Sequence, residues 1–100
     1  MTPVRLISEP GADLDVASAF EWYEGERTGL GFEYLEELLA AYTRIADGSL
    51  HYQHLRSGIR RALLKRFPYA VYFAIEQDVV VVVAVLHASR DPAEWQRRRG

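Results

Sequence analysis

The chain has 100 residues, 49% apolar and 26% charged, with a net charge of −2 and no cysteine. That composition excludes a disulfide scaffold, a thiolate metal centre and a disordered chain, and the length sets one domain, 1–100, around one core. The net charge hides a division: residues 1–47 carry ten acids and three bases, residues 48–100 nine bases and four acids, so a dipolar molecule is expected.

Val4 to Ser8 is a short strand candidate. Met1 to Ser8 lacks the basic-then-apolar layout of a secretion signal, and the longest apolar run is too short for a membrane helix. A cytoplasmic protein with no membrane partner is expected. Ser8-Glu9-Pro10-Gly11 punctuates the chain, with Ser8 or Asp13 placed to cap the helix after it. Val16, Ala19, Phe20 and Tyr23 then recur at i, i+3, i+4 and i+7, one face of a helix whose other face is acidic. Trp22 lies off that stripe, either packed at the edge or free as a partner's anchor.

Thr28-Gly29-Leu30-Gly31 interrupts the pattern. Phe32, Leu35, Leu38, Leu39, Tyr42 and Ala46 give a second helix, which Asp47-Gly48 stops. The short connection makes the two helices an antiparallel hairpin. Residues 49–57 read as a loop. His51 and His54 lie in it three apart, but no acid or cysteine nearby completes a ligand set, so neither a metal nor a cofactor is implied.

Gly58 to Arg66 is a strand carrying Arg60, Arg61, Lys65 and Arg66, with Arg60 and Arg61 on opposite faces. Phe67-Pro68 breaks it, because proline donates no ladder hydrogen bond. Tyr69 to Ile75 and the unbroken apolar run Val79 to Leu86 are separated only by Glu76-Gln77-Asp78, which allows antiparallel neighbours alone. His87 closes that strand. Ser89-Arg90-Asp91-Pro92 ends the meander, and Pro92 suits the first turn of a last short helix. Arg97, Arg98 and Arg99 read as a mobile basic tail, about 96–100.

The expected fold is α+β in the order β-α-α-β-β-β, an antiparallel meander with the helical hairpin on one face. The other face is less covered and is a natural docking surface.

An ordered set of short words runs through nearly the whole chain: Glu21-Trp22-Tyr23; Gly58-x-Arg60-Arg61; Phe67-Pro68-Tyr69-Ala70-Val71-Tyr72; Ala84-Val85-Leu86-His87; Arg90-Asp91-Pro92 with Trp95. In this order they resemble the RelE/ParE superfamily of bacterial type II toxin–antitoxin toxins. The resemblance implies a growth inhibitor neutralised by a cognate antitoxin, in a hetero-oligomer. It also implies one of two targets. The RelE-like branch is a ribosome-dependent, metal-independent mRNA endoribonuclease, in which basic side chains stabilise charge on the phosphate. By similarity its catalytic positions here are Arg60, Arg90 and His87. However, Ala62 and Tyr69 replace expected cations, Trp95 cannot exchange a proton, and the acidic balance suits a ribosome binder poorly. The ParE-like branch, which inhibits DNA gyrase, is therefore favoured. Antitoxin or target contact is expected at Arg60, Arg61, Lys65, Arg66, Arg90, Trp95, Arg97 and Arg98. A family member acting only as an interaction module is a third reading.

Overall fold

A computed structural model describes residues 5–99, with the side chain of Arg99 outside the description. The first strand, β1 (Arg5–Ser8), leads into helix α1 (Pro10–Glu26), then helix α2 (Leu30–Gly48). Strands β2 (Gln53–His54), β3 (Ile59–Leu63), β4 (Tyr69–Glu76) and β5 (Val79–His87) follow, and helix α3 (Ala93–Arg99) closes the chain. Val4, expected in the first strand, lies outside the described residues.

The strands form one sheet in the order β1-β5-β4-β3-β2. The expected meander is present as β3-β4-β5, antiparallel throughout. The expected first strand joins the sheet at one side, and at the other the sheet is one short strand wider than the sequence suggested. β1 pairs with β5 in parallel, Arg5 opposite Val79 and Ser8 opposite Val82. A fragment of the expected 49–57 loop forms β2, with Gln53 opposite Arg61 and His54 opposite Arg60. Two residues carry no readable period, so only pairing to β3 defines that strand. The expected strand 58–66 stops at Leu63, which leaves Lys65 and Arg66 in the turn before Pro68.

α1 starts with Pro10 in its first turn, where a missing N–H costs no intrahelical bond. Neither expected cap operates: the N-cap is Glu9, and the Ser8 hydroxyl donates instead to the Asp13 carboxylate at 2.6 Å. α1 buries Ala12, Ala19 and Tyr23. α2 buries Gly31, Tyr34, Leu38, Ala41 and Ile45, a face turned away from the expected stripe, so Phe32 and Leu39 are each 62% exposed. The turn between the helices is held by Glu24, whose two carboxylate oxygens each accept a backbone N–H at 2.9 Å, from Gly29 and Gly31. These orphan donors at the start of α2 meet a negative group, as a helix N-terminus favours. Gly31 has to be small, because a Cβ there would lie 2.7 Å from the Phe20 ring and 2.9 Å from its carbonyl oxygen.

The helices bury Val71, Phe73, Val80, Val82 and Val85 on one face of the sheet. The opposite face corrects the expectation of an open docking surface. There Ile59, Tyr72, Val81, Val83 and Leu86 are buried, with Trp95 of α3 stacked on Tyr72 at 5.5 Å between ring centroids. α3 is thus a covering element. Arg97–Arg99 are its last turn rather than a mobile tail.

Candidate functional site

Burial divides the expected contact residues. Trp95 is 4% exposed and stacks in the core, so it offers a partner no free surface. Arg98 is not a surface cation either. Its guanidinium holds both oxygens of Asp15 at 2.9 and 3.0 Å and donates to the Val83 carbonyl at 3.1 Å. The Asp15 bond raises the Arg98 pKa above the ordinary guanidinium value. Asp15 also accepts the Val85 N–H at 3.0 Å.

The backbone explains why this pair sits there. β4 and β5 slip by one residue between Tyr72 and Phe73, so Val83 on β5 has no partner in β4. β1 ends opposite Val82, and α1 begins two residues later, with Glu9 N–H on the Val82 carbonyl. Past that point no strand among the described residues lies beside the outer edge of β5. Arg98 and Asp15 take the next carbonyl and N–H on that edge, in place of the missing strand.

Arg60 lies on the helix side of β3 with Ala62, and its guanidinium donates to the Tyr52 carbonyl at 2.8 Å. Arg61 points to the other face and donates to the Gln53 side chain at 3.1 Å. Both cations fasten β2 and the segment before it to β3.

Lys65 and Arg66 are held by acids of α2. The Glu37 carboxylate accepts the backbone N–H of both residues. Glu33 accepts from the Arg66 guanidinium at 2.7 Å and from Arg27 at 3.2 Å. Arg66 and then Arg27 lower the Glu33 pKa below the ordinary carboxylate value. The acidic and basic halves of the sequence therefore meet at this turn.

His87 and Arg90 come together in a cleft of about 330 Å³ between α1 and the end of β5, which Asp15, Ser18, Trp22 and Tyr69 also line. Arg90 is half exposed and 3.4 Å from Glu94, which also receives Arg97 at 3.4 Å. The Ser89 N–H and hydroxyl both meet His87 Nδ1, at 3.1 and 2.7 Å. An N–H donated to Nδ1 requires a lone pair there, so the neutral ring carries its proton on Nε2.

Arg60 does not join this cleft. It stands opposite Phe73, whereas His87 stands opposite Tyr69 on a strand two places across. The separation is roughly 13 Å along the strands and about 10 Å across them. The three residues assigned to phosphodiester chemistry therefore do not converge on one phosphate. Trp22, left open by the sequence between edge packing and a partner's anchor, belongs to the cleft. Its position off the buried stripe was the available signal, and it is 60% exposed. No helix among the described residues is long and apolar enough to cross a membrane.

The structure of the chromosomal ParDE toxin–antitoxin system from P. aeruginosa contains a chain similar to this one, with a TM-score of 0.76 at 11% identity, covering 84% of this chain and 95% of that one. A chain of the RelBE2 toxin–antitoxin complex from Mycobacterium tuberculosis gives a TM-score of 0.60 at 17% identity, over 86% of this chain and 99% of that one. No curated protein gives a significant match to the sequence. The family model for the ParE toxin of the type II toxin–antitoxin system parDE matches residues 6–92, and the chain belongs to that family.

Proposed function

We propose that this toxin inhibits DNA gyrase by binding to it, without chemistry of its own, and that a cognate antitoxin neutralises it in the cytoplasm. The observation that carries this reading is the dispersal of the candidate catalytic groups. Arg60 is spent on the Tyr52 carbonyl, far along the sheet from His87 and Arg90. Electrostatic stabilisation of a phosphoryl transition state needs preorganised donors around one site. The match to the ParE family model over residues 6–92 supports the same branch.

The test is expression in bacteria with and without the antitoxin, combined with a supercoiling assay on purified gyrase. Growth arrest, a DNA-damage response, intact message and loss of supercoiling are expected, all relieved by the antitoxin. Codon-positioned message cleavage overturns the reading in favour of a ribonuclease, and unaffected growth overturns it in favour of an inert interaction module.

A further inference from the structure

α2 carries more apolar side chains than the sheet covers, and the surplus lies on its outer side. Phe32 and Leu39 are each 62% exposed and stand seven residues apart, two turns along one side of the helix. Leu50, just past the helix end, is 71% exposed. Phe32 is braced from behind: its ring stands edge-on to Phe20 of α1 at 5.0 Å between centroids. A contiguous exposed apolar surface of this kind on a small domain marks an interaction site.

The charges on the same helix decide the partner. Glu36 lies four residues before Ala40 and Arg44 four after it, and all three are exposed. Glu36 and Arg44 are about 12 Å apart along the axis, too far to pair with each other. Neither forms an ion pair among the described residues, and Arg66, whose pKa Glu36 helps to raise, is already bonded to Glu33. A peptide of one charge sign would satisfy one of the two and repel the other. A second copy of α2 laid antiparallel, with the two-fold axis at Ala40, satisfies both, because each Glu36 then stands level with the second copy's Arg44. The same register sets Phe32, eight residues before Ala40, level with the second copy's Gly48, eight after it, where no side chain opposes the ring. The two Leu39 side chains meet beside the axis, about 3 Å apart in height. Ala40 is small enough to let the helices approach closely.

We infer that the outer face of α2 is a homodimer interface, in which two copies of the helix pack antiparallel about a two-fold axis at Ala40. The 19 residues of α2 make a rod about 28 Å long and about 10 Å wide. Contact along its length buries on the order of 800 Å² in all, at the low end for specific association, so the dimer is a micromolar one. A two-fold contact uses the same strip on both copies, so assembly stops at two. The cleft lined by Ser18, Trp22 and His87 lies at the end of β5 and outside this interface. The inference is independent of which cellular target the toxin binds.

Sedimentation equilibrium of the full chain, from about 1 to 500 µM, is expected to show a monomer–dimer equilibrium with a Kd of about 10–100 µM. Leu39→Asp, at an exposed position, is expected to raise that Kd about tenfold or more. Glu36→Arg and Arg44→Glu are each expected to raise it about fivefold. The double variant is expected to return to within about twofold of wild type, a rescue that requires the two positions to face each other across the interface. The chain has no cysteine, so a single one reports its own neighbour. Helices about 8–10 Å apart bring Cα atoms on the two-fold to about 4–6 Å, within disulfide reach, so Ala40→Cys is expected to cross-link two copies under mild oxidation. Asp78→Cys, in the exposed turn after β4, is expected not to. A wild-type chain that stays monomeric at about 500 µM overturns the dimer. If Leu39→Asp then also loses binding to an antitoxin, the strip belongs to that partner instead. A dimer unchanged by Leu39→Asp overturns the interface. A dimer that neither regains affinity in the double variant nor cross-links at position 40 overturns the antiparallel register.

Discussion

Arg98 in the last helix grips both carboxylate oxygens of Asp15 in the first, at 2.9 and 3.0 Å across 83 residues of sequence. The pair is largely shielded, with the Arg98 side chain 26% exposed and that of Asp15 13%. It joins α1, α3 and the bulged stretch of β5 in one polar knot. Removing one partner of such a pair leaves the other charge without compensation. Asp15→Ala also strips the Val85 N–H of its acceptor. It is expected to lower unfolding free energy by about 2–4 kcal/mol. Arg98→Ala is expected to cost less, because Asp15 keeps the Val85 N–H. A double-mutant cycle in urea is expected to give a coupling of about 1–2 kcal/mol. A coupling near zero would show that α3 is held by Trp95 alone.

The helical hairpin turns on a glycine. A Cβ at Gly31 meets the Phe20 ring at 2.7 Å and, less forgivingly, its backbone oxygen at 2.9 Å. Alanine favours helix by about 1 kcal/mol over glycine, while overpacking costs about 1–3 kcal/mol. The backbone contact cannot be relieved by a rotamer change, so Gly31→Ala is expected to destabilise, by about 1–2 kcal/mol net. The urea midpoint measures it, with Gly25→Ala as the comparison, since a Cβ at Gly25 meets nothing within 4 Å. Gly25→Ala is expected to stabilise.

Glu37 ties the acidic helix to the basic turn by accepting the N–H of Lys65 and of Arg66. Glu37→Ala leaves both donors to water on an exposed loop, so its cost is expected to be about 1 kcal/mol. The local effect is larger than the global one. Amide exchange at Lys65 and Arg66 is expected to accelerate while exchange in β4 and β5 stays slow. Uniform acceleration across the sheet would contradict that local role.

The parts of this fold legible in the sequence are those with a period of their own. Val79 to Leu86 and Tyr69 to Ile75 form the expected hairpin, and the spacing of Ala19 and Tyr23 marks the inner face of α1. β2 and the inward face of the last helix were harder because partners far along the chain define them. Gln53 and His54 are a strand only because Arg61 and Arg60 lie opposite. Trp95 and Arg98 read as contact residues, Arg98 on a basic tail, but Tyr72 and Asp15 take them inward. α2 misled for a different reason. Its leucines and phenylalanine outnumber the positions the sheet can cover, so Phe32 and Leu39 stay outside while Tyr34 and Ile45 are fully buried. In the candidate site, His87 and Arg90 were foreseen on one strand end, and Arg60 fell away. Residue type announced its charge, but the position of Phe73 opposite Arg60, well along β4 from Tyr69, determined its distance from them.

The tyrosine cluster under the hairpin makes the fold sensitive to alkali. Tyr34 is fully buried among Tyr23, Phe67 and Tyr69, and its hydroxyl has no hydrogen-bond partner among the described groups. Burial raises its pKa well above the ordinary value of 10.0, with smaller contributions from neighbouring tyrosines and Asp15. Burial, helped by Asp13 and Asp15, likewise pushes Tyr42 up to about 12. Below pH 10 both folded and unfolded chains hold these protons, and the contribution to stability is complete. Above pH 10 the unfolded tyrosines ionise first, so stability falls with rising pH. For Tyr42 the loss continues to about pH 12. Urea midpoints are expected to be flat from about pH 7 to 9 and to decline steadily above about pH 10. Tyr34→Phe removes one of these groups and a polar atom that is buried without a partner. It is expected to make the decline shallower and, at neutral pH, to leave stability unchanged or raise it by up to about 1 kcal/mol. A loss of more than about 1 kcal/mol at neutral pH would mean that the hydroxyl is satisfied in solution by a group the folded chain does not itself supply.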